Sequence, residues 1–279
     1  MKTETDDRRR EDPTYLLGRS EEERRRLVEQ EAFLGGFTRR LFLRAGIGPG
    51  MRVLDVGCGV GDVSLLAASL VGSGGEVVGV DRDPLAVANA RERARNLANV
   101  RFVEGDVRDL APDGSFDAAV GRFVLMYQAD PAEVLRRVSG HVRPGGVFAF
   151  QEWTLTDPFL SHPRSPLWQR VSDIGVETAR RAGTQMEMGF GLYPAFVAAG
   201  ISAPRTITER PVGGGPDYPG YRFLAGLIRS MLPLTERFGI ATAEEIGVDT
   251  LSERIREEVV ALGGVVAHPS MTGAWAEKP

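Results

Sequence analysis

The chain has 279 residues, 42% of them apolar and 26% charged, which is enough to bury a full core. A formal charge of -4 offers no field for a phosphate backbone and excludes nucleic acid as a main partner. The single cysteine, Cys58, excludes an internal disulfide and a cysteine-rich metal site, and no apolar run is long enough to span a bilayer.

Residues 1–12, MKTETDDRRRED, read as a disordered, solvated tail without the apolar segment of a signal peptide, so a cytoplasmic location is expected. SEEE at Ser20 fits a capping box, and Leu27, Gln30, Leu34, Phe37 and Leu41 follow at helical spacing. Next, MRVLDV, EVVGVD, VRFVEG, FDAAVG and GGVFAFQE are short β-rich runs separated by helical segments such as Val63 to Val71 and Leu85 to Leu97. Asp83-Pro84 and Asp130-Pro131 mark helix starts, the acid capping free amides and the proline fitting the first turn.

Strands alternating with crossover helices predict an α/β fold: a Rossmann-like, doubly wound, mainly parallel sheet of seven strands with N-terminal helices. Residues 154–200 read as helical and proline-rich, 203–212 as a strand, and 218–262 as helices interrupted at Pro233 and Gly239. VVAHPSMTGAWAEK supplies a final strand. Residues 13–279 thus form one expected domain, its core sheet at about 45–153, 200–212 and 264–276, with a helical lid at about 218–262 inserted before the last strand.

Residues 53–62, VLDVGCGVGD, place a carboxylate inside an apolar strand and glycines at alternate positions after it. A strand, a glycine turn and a helix set backbone amides and a positive helix end beside a ligand. The nicotinamide fingerprint G-x-G-x-x-G is disfavoured, because the third glycine comes one residue early and Asp62 fills its place. Asp81 ends the next strand, where an acid accepts both hydroxyls of a ribose. The ligand expected from the residues is therefore a nucleoside.

Taken in order, VLDVGCGVGD, VVGVDRDP, VRFVEGDVRDL, FDAAVGRFVLMYQADP and HVRPGGVFAFQEW resemble the motif set of class I S-adenosylmethionine-dependent methyltransferases, over roughly residues 51–153. The flanking pieces resemble the small-molecule enzymes of the ubiquinone and menaquinone type. The resemblance implies S-adenosylmethionine as cofactor and S-adenosylhomocysteine as product. It assigns Asp55 and the turn of Gly57, Gly59 and Gly61 to the methionine portion, Cys58 within that turn to cofactor binding, and Asp81 to the ribose. Gly105, Asp106 and the Val107 amide go to the adenine with Arg82 alongside, and Gly121, Arg122 and Phe123 to the carboxyl end of the fourth strand. Tyr15 resembles a tyrosine that covers the cofactor and Gln30 a ligand-facing amide; the alternatives are a helix staple and a solvated edge residue.

Since a sulfonium already activates its methyl group, the protein's tasks are alignment and exclusion of water, and a base is optional. Glu152 and His162 are candidates for it, as are Glu187 and His268, with Tyr127 a further candidate catalytic residue. Both histidines adjoin proline and read as turn residues. Trp153, Phe159, Trp168, Met186, Met188, Phe190, Tyr221, Phe223 and Met231 form an expected acceptor wall, or else core, and imply a small organic acceptor of aromatic or prenylated character. The carboxylates and histidines show no metal-ligand spacing, so no metal is expected. The expected reaction is methyl transfer to oxygen, nitrogen or carbon. The alternatives are a cofactor-binding protein that catalyses a non-methylating cyclisation, or a non-catalytic partner subunit; a homodimer is compatible with each.

Overall fold

Val53, Leu54 and Val56 leave no polar face on their strand, so it must be covered on both sides, and it takes the middle of the molecule. The computed structural model describes the backbone of residues 21–109 and 115–279, and side chains in that span from Phe33 onward. The expected tail, the Ser20 capping box, Tyr15 and the Gln30 side chain lie outside the described residues.

The order is α1 (Glu21–Arg44), β1 (Arg52–Val56), α2 (Asp62–Val71), β2 (Glu76–Asp81), α3 (Pro84–Arg93), β3 (Val100–Glu104), β4 (Phe116–Arg122), α4 (Pro131–Ser139) and β5 (Val142–Thr154). There follow β6 (Leu160–His162), α5 (Pro166–Arg181), α6 (Met188–Ala198), β7 (Arg205–Glu209), β8 (Val212–Gly214), α7 (Gly220–Arg237), α8 (Ala243–Ile246), α9 (Leu251–Ala261), β9 (Val265–Ala267) and β10 (Ser270–Glu277). Among the described residues the central sheet has seven strands in the order β3-β2-β1-β4-β5-β10-β7. β10 runs antiparallel to both neighbours and the other pairs are parallel. The strand order reverses between β1 and β4, so a crevice opens at their carboxyl ends.

Local chemistry sets the helix starts. The Asp83 carboxylate accepts from the Leu85 amide and that of Asp130 from the Glu133 amide, with Pro84 and Pro131 in the first turns.

Three expectations need correction. The segment 264–276 is two strands rather than one: it breaks at His268, and β9 joins β6 and β8 in a separate three-stranded sheet. The α7 helix continues through Pro233, which is exposed there, so no carbonyl needs its missing N–H in the interior. Finally, α7 buries Tyr221, Phe223, Leu224, Ile228 and Met231 at 3% exposure or less, and Phe223 and Met231 belong to the main core. Such packing suits a fixed wall better than a detachable lid.

Candidate active site

Asp55 on β1 is 1% exposed, between Gly79 of β2 and Val120 of β4. The Ser64 hydroxyl donates to its Oδ2 at 2.5 Å, while Oδ1 has no hydrogen-bond partner among the described residues. Burial pushes the Asp55 carboxyl up to about 7, against the Ser64 hydrogen bond and the charge of Arg122. A buried acceptor left without a donor costs about 1–3 kcal/mol, so the group is suited to a ligand that brings one.

After β1 the backbone turns through Gly57, Gly59 and Gly61 at φ of 64°, 53° and 89°. A Cβ on Gly57 would lie 2.7 Å from Val124, which brings the loop after β4 against this turn. The Asp81 carboxylate accepts from the Gly59 amide at 2.8 Å through Oδ2 and from the Asp83 amide at 2.9 Å through Oδ1. Each oxygen keeps a lone pair for a ligand hydroxyl.

Asp106 stands beyond β3, with Arg82 at 3.7 Å. Arg108, which the sequence reading missed, grips both carboxylate oxygens, at 2.9 Å and 2.6 Å. Burial works to raise the Asp106 carboxyl, but these hydrogen bonds hold it below its ordinary value. An arginine two residues after an acid was the available signal. The Cys58 thiol is buried in a small cluster with Val87, Ala90 and Phe102, and burial raises its pKa. Val107 is buried in the main core beside the turn of Gly105 and Asp106.

Gly121 is bare for a packing reason as well. A Cβ there would meet the Phe150 ring at 2.6 Å, so its bareness admits a core aromatic. Arg122 is not at an open rim: it is 7% exposed and donates to the Thr38 hydroxyl at 3.1 Å, which in turn donates to the Gln151 side chain at 2.8 Å. Phe123 adopts a left-handed φ of 57°, a conformation that costs about 1–3 kcal/mol in a non-glycine residue. Its amide donates to the Gln151 carbonyl, and its ring stacks on Trp153 at 5.2 Å and 13°.

The strain at Phe123 leads directly to Glu152. Glu152 lies at the carboxyl end of β5 with 0% exposure, and its Oε1 accepts from the amides of Val124 and Leu125 at 3.0 and 2.7 Å. Its Oε2 has no partner among the described residues, and burial pushes the carboxyl up to about 8 despite the amides. Tyr127 closes the short turn Leu125–Tyr127 and is buried in the main core.

The remaining candidates are not brought together with Glu152. His162 is exposed on β6 in the small sheet, and Glu187 is exposed ahead of α6. Phe190 is 65% exposed and forms no wall. His268 is the opposite error: expected in a surface turn, it is 0% exposed. No group of three or more potential metal ligands exists among the described residues.

These features fit S-adenosylmethionine. Asp55 Oδ1 awaits a donor near the glycine turn, Asp81 and Asp106 stand in succession across β2 and β3, and the backbone at Gly59 is open on its Cβ side. Comparison with known proteins agrees. A family model described as "Methyltransferase domain" matches residues 47–175. The chain is 37% identical over 130 residues to the 2-phytyl-1,4-naphtoquinone methyltransferase of Synechococcus elongatus, covering 45% of this chain and 53% of that one. It is 30% identical over 224 residues to a sterol 24-C-methyltransferase of Aspergillus fumigatus, covering 77% and 57%. The chain therefore spans about half the length of these curated relatives. A solved geranyl diphosphate methyltransferase in complex with SAM has the same fold, with a TM-score of 0.53 and 17% identity over 92% of this chain and 90% of that one.

Proposed function

We propose that the chain is a class I S-adenosylmethionine-dependent methyltransferase and that it methylates a small, largely apolar acceptor held over the carboxyl ends of β4 and β5. The observation that carries this reading is the convergence there of the glycine turn, the strained Phe123 and the buried, half-partnered Glu152. The names of the two relatives, a phytyl-naphthoquinone and a sterol enzyme, support an acceptor with fused rings or a prenyl chain.

When bound, the cofactor supplies an electrophilic methyl group on a sulfonium. Asp81 would take the ribose hydroxyls, Asp106 would accept from the adenine amino group, and the Asp55 carboxylate would meet the ammonium group directly or through water. Phe123, Trp153 and Phe223 exclude water from the acceptor side and orient it in line. Glu152 has two roles. Its Oε1 fixes the turn after Phe123, and its Oε2 takes the proton of an acceptor hydroxyl or carbon acid. The insert formed by α7, α8 and α9 is the wall that closes this side.

Incubation with cofactor carrying an isotope-labelled methyl group and a panel of phenols, quinols and sterols tests the reading. Label in product together with S-adenosylhomocysteine is expected; turnover that leaves the cofactor intact overturns it. The ribose contact is tested separately. Asp81→Ala removes the acceptor for the ribose and the anchor of the Gly59 amide, and is expected to weaken cofactor binding by about 1–3 kcal/mol in calorimetry. Unchanged affinity would remove Asp81 from the site.

A further inference from the structure

His268 lies on the proline-broken link between β9 and β10, and its place there is fixed by its backbone. Its amide donates to the Pro211 carbonyl at 3.0 Å, and its carbonyl accepts from Arg210 Nε at 2.7 Å. Its ring meets those of Phe33 at 5.0 Å, Trp168 at 5.1 Å, Phe223 at 5.4 Å, Phe159 at 5.7 Å and Tyr218 at 6.4 Å. Five aromatic side chains from α1, the link after β5, α5, the segment before α7 and α7 itself thus surround one imidazole.

Five polar atoms belong to this cage. His268 Nδ1 and Nε2, Trp168 Nε1, Tyr218 Oη and Tyr221 Oη are all buried without a hydrogen-bond partner among the described residues, and Tyr221 packs edge-on against Tyr218. Buried polar side chains are normally paired, so five unpaired atoms within one set of touching rings mark a place for an exogenous group. The chemistry of that group follows from theirs. Trp168 only donates, the tyrosines donate or accept, and a neutral imidazole does one at each nitrogen. Burial holds His268 neutral, its pKa pushed down to about 3 with Arg210 adding to the shift, so the ring groups of the cage carry no charge of their own. An uncharged hydroxyl or carbonyl oxygen on an apolar body satisfies it.

The cage is also connected to the crevice. Phe123 stacks on Trp153, Trp153 lies 6.4 Å from Phe223, and Phe223 touches His268, which gives a continuous aromatic track from the end of β4 to the imidazole. We propose that His268, with Trp168, Tyr218 and Tyr221, is the anchoring site for a neutral oxygen of the acceptor, and selects oxygenated apolar molecules over their hydrocarbon counterparts. This deepens the methyl-transfer reading and rests on it for the word acceptor, whereas the binding preference stands by itself.

The test is equilibrium dialysis of the full chain, saturated with S-adenosylhomocysteine, against 1-naphthol and naphthalene, which share a ring system and differ by one hydroxyl. The native protein is expected to bind 1-naphthol at least tenfold more tightly. In His268→Phe, which keeps an aromatic ring and removes both nitrogens, the preference should fall below threefold, with S-adenosylhomocysteine affinity unchanged. Trp168→Phe, which removes only an N–H, should narrow it partway. Equal binding of the two probes by native protein, no saturable binding of either, or a full preference retained in His268→Phe overturns the proposal. If the histidine variant does not fold, Trp168→Phe and the native comparison decide it. Failure to detect methyl transfer leaves these binding results intact, so the two readings fail separately.

Discussion

Replacing Gly61 by valine is expected to abolish measurable cofactor binding and to lower stability by about 2–5 kcal/mol. Gly61 caps α2 at φ 89° and ψ 13°, and an L-residue with a left-handed backbone costs about 1–2 kcal/mol, with β-branching adding to the strain. A Cβ would also lie 2.8 Å from Phe102 Cζ and 3.3 Å from Ala90 Cβ. Phe102 is 5% exposed on β3 and Ala90 is fully buried on α3, so neither can withdraw, and overpacking of this kind costs about 1–3 kcal/mol. The relief available is to shift α2, which moves the turn amides proposed to face the cofactor. Cofactor affinity should fall more than 100-fold by calorimetry, with a matching loss in denaturant midpoint. A valine variant with native affinity and midpoint would show that the turn does not hold the ligand.

Glu152→Gln should slow methyl transfer by about 10²–10⁴-fold and at the same time make the protein more stable at pH 8. Glutamine keeps a carbonyl for the Val124 and Leu125 amides, so the turn stays in place while the ionisable group is lost. In the native protein burial raises the Glu152 carboxyl from an ordinary 4.5 to about 8. Between these values the folded chain holds a proton that the unfolded chain has released. The contribution of Glu152 to stability is therefore full below about 4.5 and falls as pH rises towards 8, by up to about 1.4 kcal/mol per pH unit in that window. Asp55, raised to about 7, adds a slope of the same sign that the glutamine variant retains. The comparison is thus a shallower slope between pH 5 and 8, not a flat one. The rate of the native enzyme should climb to a plateau above about pH 8, and this limb should vanish in the variant. If the variant keeps the native rate and pH profile while Glu152→Leu loses activity, Glu152 positions the turn and takes no proton.

What the sequence made legible was local. The alternation of strands and helices, the Asp83 and Asp130 caps and the odd carboxylate in VLDVG each depend on neighbours a few residues away, and the sheet places them as expected. Glu152 was visible because an acid at the end of the apolar run VFAFQE has to be explained. His268 was hidden, since His-Pro reads as an exposed turn and the rings that bury it come from segments between Phe33 and Phe223. The packing of Gly121 against Phe150 and of Cys58 into the small cluster around Phe102 was hidden too, because strand periodicity does not reveal either neighbour. The insert was read as movable from its glycines and proline. Which of them bend the chain depends on exposure: Pro233 sits harmlessly on the solvent side of α7, and Gly239, at φ 64°, lies beyond its end.

The position of β10 bears on how the chain assembles. It fills the gap between β5 and β7, which make no pairing with each other, and its partners Val147 to Thr154 precede it by more than a hundred residues. Closing so long a loop carries a large entropic cost before any ladder bond forms, and topologies of this kind fold slowly. Until that step, β5 presents an unpaired edge running through Phe148 and Phe150, and β7 belongs to no sheet. A partly synthesised or slowly folding chain therefore exposes an aggregation-prone template at the strand that carries Glu152. Charged substitutions that weaken β10 should show first as lost soluble yield at raised temperature, before any change in the cofactor affinity of the protein that does fold.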